Sequence, residues 1–265
     1  MRRSLLLFAT MTLAVLLASG VAGAITYGQP DNNRHPYVGA LVVSDEDGQM
    51  FTACSGTLIS PTIFLTAAHC VVGLERFQWT FEGITFDSTF DPASSDVISG
   101  TPHAHPLFER EAAYFHDIAV IELNSDVTEL GYGVLPTVGL LDELNQDRGL
   151  RGQEFTSVGY GFQERTHDPG SGPPAYGTEE VRLFSTQLFR TLTKNHLKLS
   201  QNPALGYGGT CYGDSGGPIF LGGPSSNQLV ALTSTGDAVC TATSVNYRLD
   251  SPEALAFLAN YVELP

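Results

Sequence analysis

From Tyr37 onward the chain is built of short runs rich in β-branched and aromatic residues, each closed off by a turn cluster. Examples are Tyr37–Val43, Gly56–Ile59, Phe77–Phe81, Ile118–Leu123, Phe155–Tyr160, Pro218–Leu221 and Leu229–Thr233, and turn-forming stretches such as Ser44–Gly48 and Gly222–Asn227 separate them. Runs of this length between Gly, Pro, Asn and Asp clusters pair as antiparallel strands. The rhythm therefore predicts an all-β barrel or sandwich rather than an α/β fold. The 28 glycines and 15 prolines fit many short strands joined by turns. A helix signal comes only at the end. There Ser251-Pro252-Glu253 offers an N-cap with proline at the first helical position, and Leu255, Leu258 and Tyr261 or Val262 recur at helical spacing.

Length and composition bound the rest. The 265 residues suit one large β unit or two smaller domains, and 42% hydrophobic against 15% charged residues allows a substantial core and excludes intrinsic disorder. No internal repeat and no dividing linker is visible. The most loop-like stretch is His167–Gly177. The formal net charge of −15 argues against nucleic acid and against an anionic membrane, both of which need a basic surface.

The N-terminus carries a targeting pattern. Arg2 and Arg3 precede an apolar run from Leu5 to about Ala18, followed by small residues ending Ala22-Gly23-Ala24. This reads as a secretory signal peptide over residues 1–24, too short for a spanning helix, with a secreted, extracellular product. Cys54, Cys70, Cys211 and Cys240 suit that compartment. Four cysteines allow three pairings, and spacing favours the local pairs Cys54–Cys70 and Cys211–Cys240, each stabilising by about 3–4 kcal/mol. With no CxxC pair the cysteines do not read as a zinc site, and no metal or cofactor is expected. His103 and His105 are better explained by the turn around Pro102 and Pro106 than as ligands.

Three segments carry chemistry. Gly213-Asp214-Ser215-Gly216-Gly217-Pro218 sets a serine in a glycine-rich turn, where the backbone can bend and aim N–H groups at one point. Thr66-Ala67-Ala68-His69-Cys70 sets a histidine beside a cysteine, and His116–Leu123 brings Asp117 into a strand. Each alone is weak: a turn, a structural histidine, a strand cap. Together, in the order His, Asp, Ser, they closely resemble the chymotrypsin/trypsin family. Cys54–Ser60, His105-Pro106 and Ser157–Gly161 are similar to further family segments, so the resemblance covers nearly all of the chain after residue 24.

The resemblance implies two antiparallel six-stranded β-barrels with a C-terminal helix. Residues 25–136 would carry His69 and Asp117, and residues 137–265 would carry Ser215. It implies a Ser215 nucleophile, a His69 base, an orienting Asp117 and an oxyanion hole from the N–H groups of Gly213 and Ser215. Ser234, Thr235 and Gly236 match the segment that pairs with extended substrate. The family's pocket-base position falls on Gly209, followed by Thr210, so the pocket is neutral and trypsin-like cleavage is disfavoured. An uncharged, medium or large hydrophobic side chain is expected instead. Asp237 can bias nearby subsites toward basic groups, and Thr233, where glutamate-specific members carry histidine, argues against acidic specificity. Ile25 and Gly28 match the family's activated N-terminus, so cleavage after Ala24 would itself free an Ile25 ammonium to pair with Asp214.

The expected partner is a protein or peptide substrate, the expected state a monomer. A catalytically silent binding protein is the competing class, and retention of all three triad positions and Gly213 argues against it. An esterase with a Gly-x-Ser-x-Gly elbow fails, because no histidine follows Ser215.

Overall fold

The computed structural model describes residues 25–109, 115–146, 148–166 and 175–265. The expected signal peptide and the His167–Pro174 part of the loop-like stretch lie outside these residues. The strands are β1 (Gln29–Pro30), β2 (Val38–Ser44), β3 (Met50–Leu58), β4 (Ile63–Thr66), β5 (Thr80–Thr85), β6 (Gly100–Ala104), β7 (Ala119–Leu123), β8 (Glu154–Gly159), β9 (Arg165–Thr166), β10 (Ala175–Tyr176), β11 (Leu183–Leu192), β12 (His196–Ser200), β13 (Pro218–Leu221), β14 (Leu229–Gly236) and β15 (Thr243–Arg248). Among the described residues two α-helices accompany them, α1 (Leu140–Gln146) between β7 and β8 and α2 (Pro252–Leu258) after β15.

All strands but β9 and β10, which pair only with each other, make two antiparallel units. The first runs β5-β2-β3-β4-β7-β6, and the second runs β8-β11-β12-β15-β14-β13 and returns to β8, with β1 added beside β11. Only the second closes as a six-stranded barrel. The first is a curled sheet whose outer strands approach at one bridge, where Ile84 and Ile98 exchange N–H···O bonds of 2.8 and 2.9 Å. Register shifts between Leu41 and Val42 against β3, and between Val42 and Val43 against β5, bend β2 and produce the curl. Beyond that bridge β5 and β6 do not pair, so the expected first barrel stays open along this seam.

The core explains how the two units hold together. β2 is buried along its whole length, because one face packs inside its own sheet and the other meets the second unit. The main hydrophobic cluster accordingly joins Leu41, Phe64 and Ile121 of the first sheet to Val158, Phe184 and Phe220 of the second. Around Leu141, Phe155, Leu197 and Ile219 lies a separate core inside the closed barrel.

Helix α2 begins where the sequence places it, with Ser251 Oγ accepting from the Ala254 N–H at 3.2 Å. It ends at Leu258, and Tyr261 and Val262 lie beyond it, donating their N–H groups back to the Leu258 carbonyl. Helix α1 was not expected. Its N-terminal N–H at Leu141 donates to Asp250 Oδ2 at 2.8 Å, a cap from a residue far along the chain. The run Phe77–Phe81 also shifts: Leu74–Phe77 forms a 3₁₀ turn and the strand starts at Thr80.

Candidate active site

Three segments converge where the two β units meet. His69 sits on a 3₁₀ turn, Ala68–Cys70, directly after β4. The disulfide Cys54–Cys70 ties that turn to β3. Asp117 precedes β7 and is fully buried. It grips His69 twice: the His69 N–H donates to Oδ1 at 3.0 Å, and His69 Nδ1 lies 2.8 Å from Oδ2. Ser234 Oγ, from β14, donates to the same Oδ2 at 2.5 Å. One buried carboxylate thus fixes the histidine ring and anchors it to the other β unit.

Ser215 lies in the turn before β13. Gly213 has φ 93° and Gly216 has φ 77°, conformations that side-chain-bearing residues rarely adopt. At Gly216 space also forbids a side chain, since a Cβ there would lie 2.6 Å from the Ser55 carbonyl and 2.7 Å from the Ala67 nitrogen. The serine turn therefore presses directly against the histidine segment. Ser55 stitches the contact: its N–H donates to the Ser215 carbonyl at 2.8 Å and its Oγ to the Gly213 carbonyl at 3.0 Å, while Oγ accepts from the Tyr160 N–H at 3.0 Å.

His69 and Ser215 line one cavity of about 350 Å³ with Thr210–Tyr212, Thr233–Ala238 and Cys240. Ser234, Thr235, Gly236 and Thr210 are therefore at the cavity, whereas Gly209 is not among its lining residues. Gly209 pairs instead with Thr26, through N–H···O bonds of 2.9 Å in both directions. Cys211 and Cys240 are bonded to each other and join the two walls. The sulfurs of Cys54 and Cys70 also lie close to His69, but their bond to each other leaves no thiolate for a metal.

Asp214 is fully buried behind the nucleophile turn and accepts N–H bonds from Gly161 at 2.9 Å and Cys211 at 2.8 Å. Burial pushes its carboxyl up to about 7, against the lowering effect of those two N–H donors. Ile25 is fully buried beside Leu183, with φ 72°, a strained value for a β-branched residue. Its neighbour Thr26 holds it there through Gly209 and through an Oγ1 bond to the Cys240 carbonyl at 3.1 Å.

Sequence reasoning missed two supports. Ser55 was read only as part of a family segment. Arg182 was not singled out at all, yet it is buried between the two units and bonds Asp31, Asn33, Val38, Phe86 and Tyr160. The one signal available was an arginine entering an apolar run, Val181-Arg182-Leu183-Phe184. His103 and His105 are on or next to β6. His105 stacks on His116 at 4.5 Å and accepts the Leu107 N–H at Nδ1, as a turn residue does.

Comparison with known proteins agrees with this architecture. The trypsin family model matches residues 25–251. CLIP domain-containing serine protease B15 of Anopheles gambiae is 26% identical, over 92% of this chain and 73% of its own length. Phenoloxidase-activating factor 3 of Holotrichia diomphalia is 27% identical, over 72% and 57%, and a trypsin of Saccharopolyspora erythraea is 28% identical, over 77% and 82%. Among solved structures, HL collagenase shares the fold with a TM-score of 0.62 at 18% identity, covering 91% of this chain and 99% of its own. With the family model spanning most of the chain and the two β units meeting at the His69–Ser215 cavity, this chain belongs to the trypsin family of serine proteases.

Proposed function

We propose that the chain is a secreted serine endopeptidase that cleaves protein or peptide substrates through Ser215, His69 and Asp117, after uncharged hydrophobic residues. The observation that carries this reading is the doubly bonded His69–Asp117 pair opening onto the same cavity as Ser215. In the reaction His69 Nε2 takes the Ser215 proton as Oγ attacks the carbonyl, then returns it to the leaving amine. Asp117 keeps the proton on Nδ1 and stabilises the imidazolium that forms. The N–H groups of Gly213 and Ser215 receive the developing oxyanion, in a turn already bent to that shape before substrate arrives.

Substrate lies extended against Ser234–Gly236, adding a strand beside β14, with its side chain in the cavity. Residues 25–136 and 137–265 act as the two halves of the cleft, and the enzyme works as a monomer without cofactor or metal. The product of cleavage after Ala24 begins at Ile25, and its ammonium supplies Asp214 with the cation that a fully buried carboxylate calls for.

The test is hydrolysis of a mixed peptide library by the secreted chain beside its Ser215→Ala variant. Cleavage after Leu, Met, Phe or Tyr, abolished in the variant, supports the proposal. Equal cleavage by both proteins, or none by a folded wild type, refutes it.

A further inference from the structure

The cavity beside Ser215 has Thr210 and Cys240 among its lining residues but stops short of Gly209. The reason is a residue eight positions earlier. Gln201, immediately after β12, is fully buried. A Cβ built on Gly209 would collide with Gln201 Oε1 and Cβ and would lie 2.6 Å from its Cδ. The Gln201 side chain thus fills the space into which a side chain at 209 would project. Glycine at 209 is a packing requirement, and not simply a missing charge.

The carboxamide is held at both ends. Oε1 accepts from the Thr210 N–H at 3.0 Å and from Gln187 Nε2 at 3.1 Å. Nε2 donates to the Thr210 carbonyl at 3.3 Å and faces Asp237 Oδ1 at 3.5 Å. Gln187, on β11, reaches on to Ser244 Oγ of β15 at 3.1 Å. Asp237 is itself fixed by the N–H groups of Thr241, Ala242 and Thr243. The layer under the cavity is therefore a network of amides and hydroxyls around the Asp237 carboxylate, and Thr210 and Asp237 are the members of it that line the cavity.

We propose that Gln201 is the specificity-determining floor of the pocket, standing in for the side chain that Gly209 lacks; this rests on reading the Ser215 cavity as a peptidase site. A carboxamide committed to Thr210, Gln187 and Asp237 offers no charge to a lysine or arginine head group, the Asp237 carboxylate is already occupied by Gln201 Nε2 and three backbone N–H groups, and burying a cation without a free partner is costly. The floor also sets depth. It favours uncharged side chains of medium length, Leu and Met, over Phe and Tyr. Lengthening the pocket requires removing Gln201, and introducing a carboxylate at 209 requires removing it first.

The experiment compares wild type, Gln201→Ala, Gly209→Asp and the double variant Gly209→Asp/Gln201→Ala. Each is profiled on a peptide library after titration of its active fraction with a fluorophosphonate. Gln201→Ala, which removes four heavy atoms, is expected to raise the kcat/KM ratio of Phe over Leu at least about 10-fold, the lower end of the range for a single methylene in an apolar pocket, with the active fraction unchanged. The double variant is expected to gain cleavage after Lys and Arg, and Gly209→Asp alone is not. An unchanged profile for a fully titrating Gln201→Ala protein would overturn the proposal, as would gain of basic cleavage by Gly209→Asp alone.

The same four pockets, each carrying Ser215→Ala, are titrated calorimetrically with benzamidine, a flat cation whose binding needs no nucleophile. Binding by the double variant alone supports Gln201 as the floor even if the peptidase reading fails. Binding equal in the double and the single Gly209→Asp variant refutes it.

Discussion

Replacing Arg182 by methionine tests whether the two β units are held together by one buried cation. Arg182 is 1% exposed, and its guanidinium makes five polar contacts: Asp31 Oδ2 at 3.2 Å, Asn33 Oδ1 at 2.8 Å, the Val38 and Phe86 carbonyls at 2.9 Å each, and Tyr160 Oη at 3.1 Å. Val38 and Phe86 belong to the first unit and Tyr160 to the second, while Asp31 and Asn33 lie between β1 and β2. Methionine keeps much of the volume and none of the donors. It leaves the Asp31 carboxylate buried with only His35, whose Nδ1 lies 2.6 Å away, strips the Phe86 carbonyl of its donor, and leaves the Val38 carbonyl the Tyr160 hydroxyl at 3.3 Å. Breaking a buried pair by removing one partner costs about 3–5 kcal/mol, and the orphaned Phe86 carbonyl adds about 1–3 kcal/mol where water cannot reach it.

The expected loss is therefore at least about 4 kcal/mol, much of the roughly 5–15 kcal/mol that holds a domain folded. In a chain of this size that lowers Tm by about 8–16 °C. Reversible urea unfolding followed by fluorescence measures it, with Arg182→Lys as control. Lysine keeps the charge but cannot span five acceptors, so it should recover only part of the loss. A loss below about 1 kcal/mol for Arg182→Met would refute the claim that this cation joins the two units.

Three further outcomes follow from the same geometry. Asp117→Asn leaves the His69 contacts sterically possible but supplies the wrong tautomer, so kcat should fall by about 10⁴-fold, the value established for this triad in the family, with little change in Tm; activity within 10-fold of wild type on steady-state assay would contradict the assignment. Asp214, raised by burial from 3.8 to about 7, holds its proton more tightly folded than unfolded. A chain extended ahead of Ile25 should therefore lose stability as pH rises from about 4 to 7, on the order of 4 kcal/mol relative to its Asp214→Asn variant, while a chain beginning at Ile25 should not; equal urea midpoints for the two chains across that window would rule out the pairing. Removing the Cys211–Cys240 bond by double alanine substitution should cost about 3–4 kcal/mol in urea unfolding and raise KM, since the bond joins the two pocket walls, and an unchanged KM would show that the walls hold without it.

The sequence revealed what local pattern controls. Turn clusters and β-rich runs located seven of the fifteen strands among the described residues, because an alternating buried face and a glycine turn are written in adjacent residues. The meeting of His69 with Ser215 at one cavity and with Asp117 was legible for a related reason: each of the three sits in a short motif whose neighbours shape its backbone. Features set by tertiary contact were not legible. Helix α1 takes its N-terminal cap from Asp250, and Arg182 draws its five partners from positions 31 to 160. Gln201 fills the space beside Gly209 across a turn. From the sequence Gly209 looked like a neutral pocket base, but only packing shows why it must be glycine. The open seam of the first sheet depends likewise on where β5 and β6 part, which no single run of residues encodes.

The central claim is that Ser215 is an activated nucleophile served by His69 and Asp117. Intact mass of the secreted protein before and after a fluorophosphonate, beside Ser215→Ala, tests it most directly. The account predicts one adduct on the wild type, none on the variant, and a starting mass for a chain beginning at Ile25. A folded wild type of that mass that takes up no adduct would contradict it.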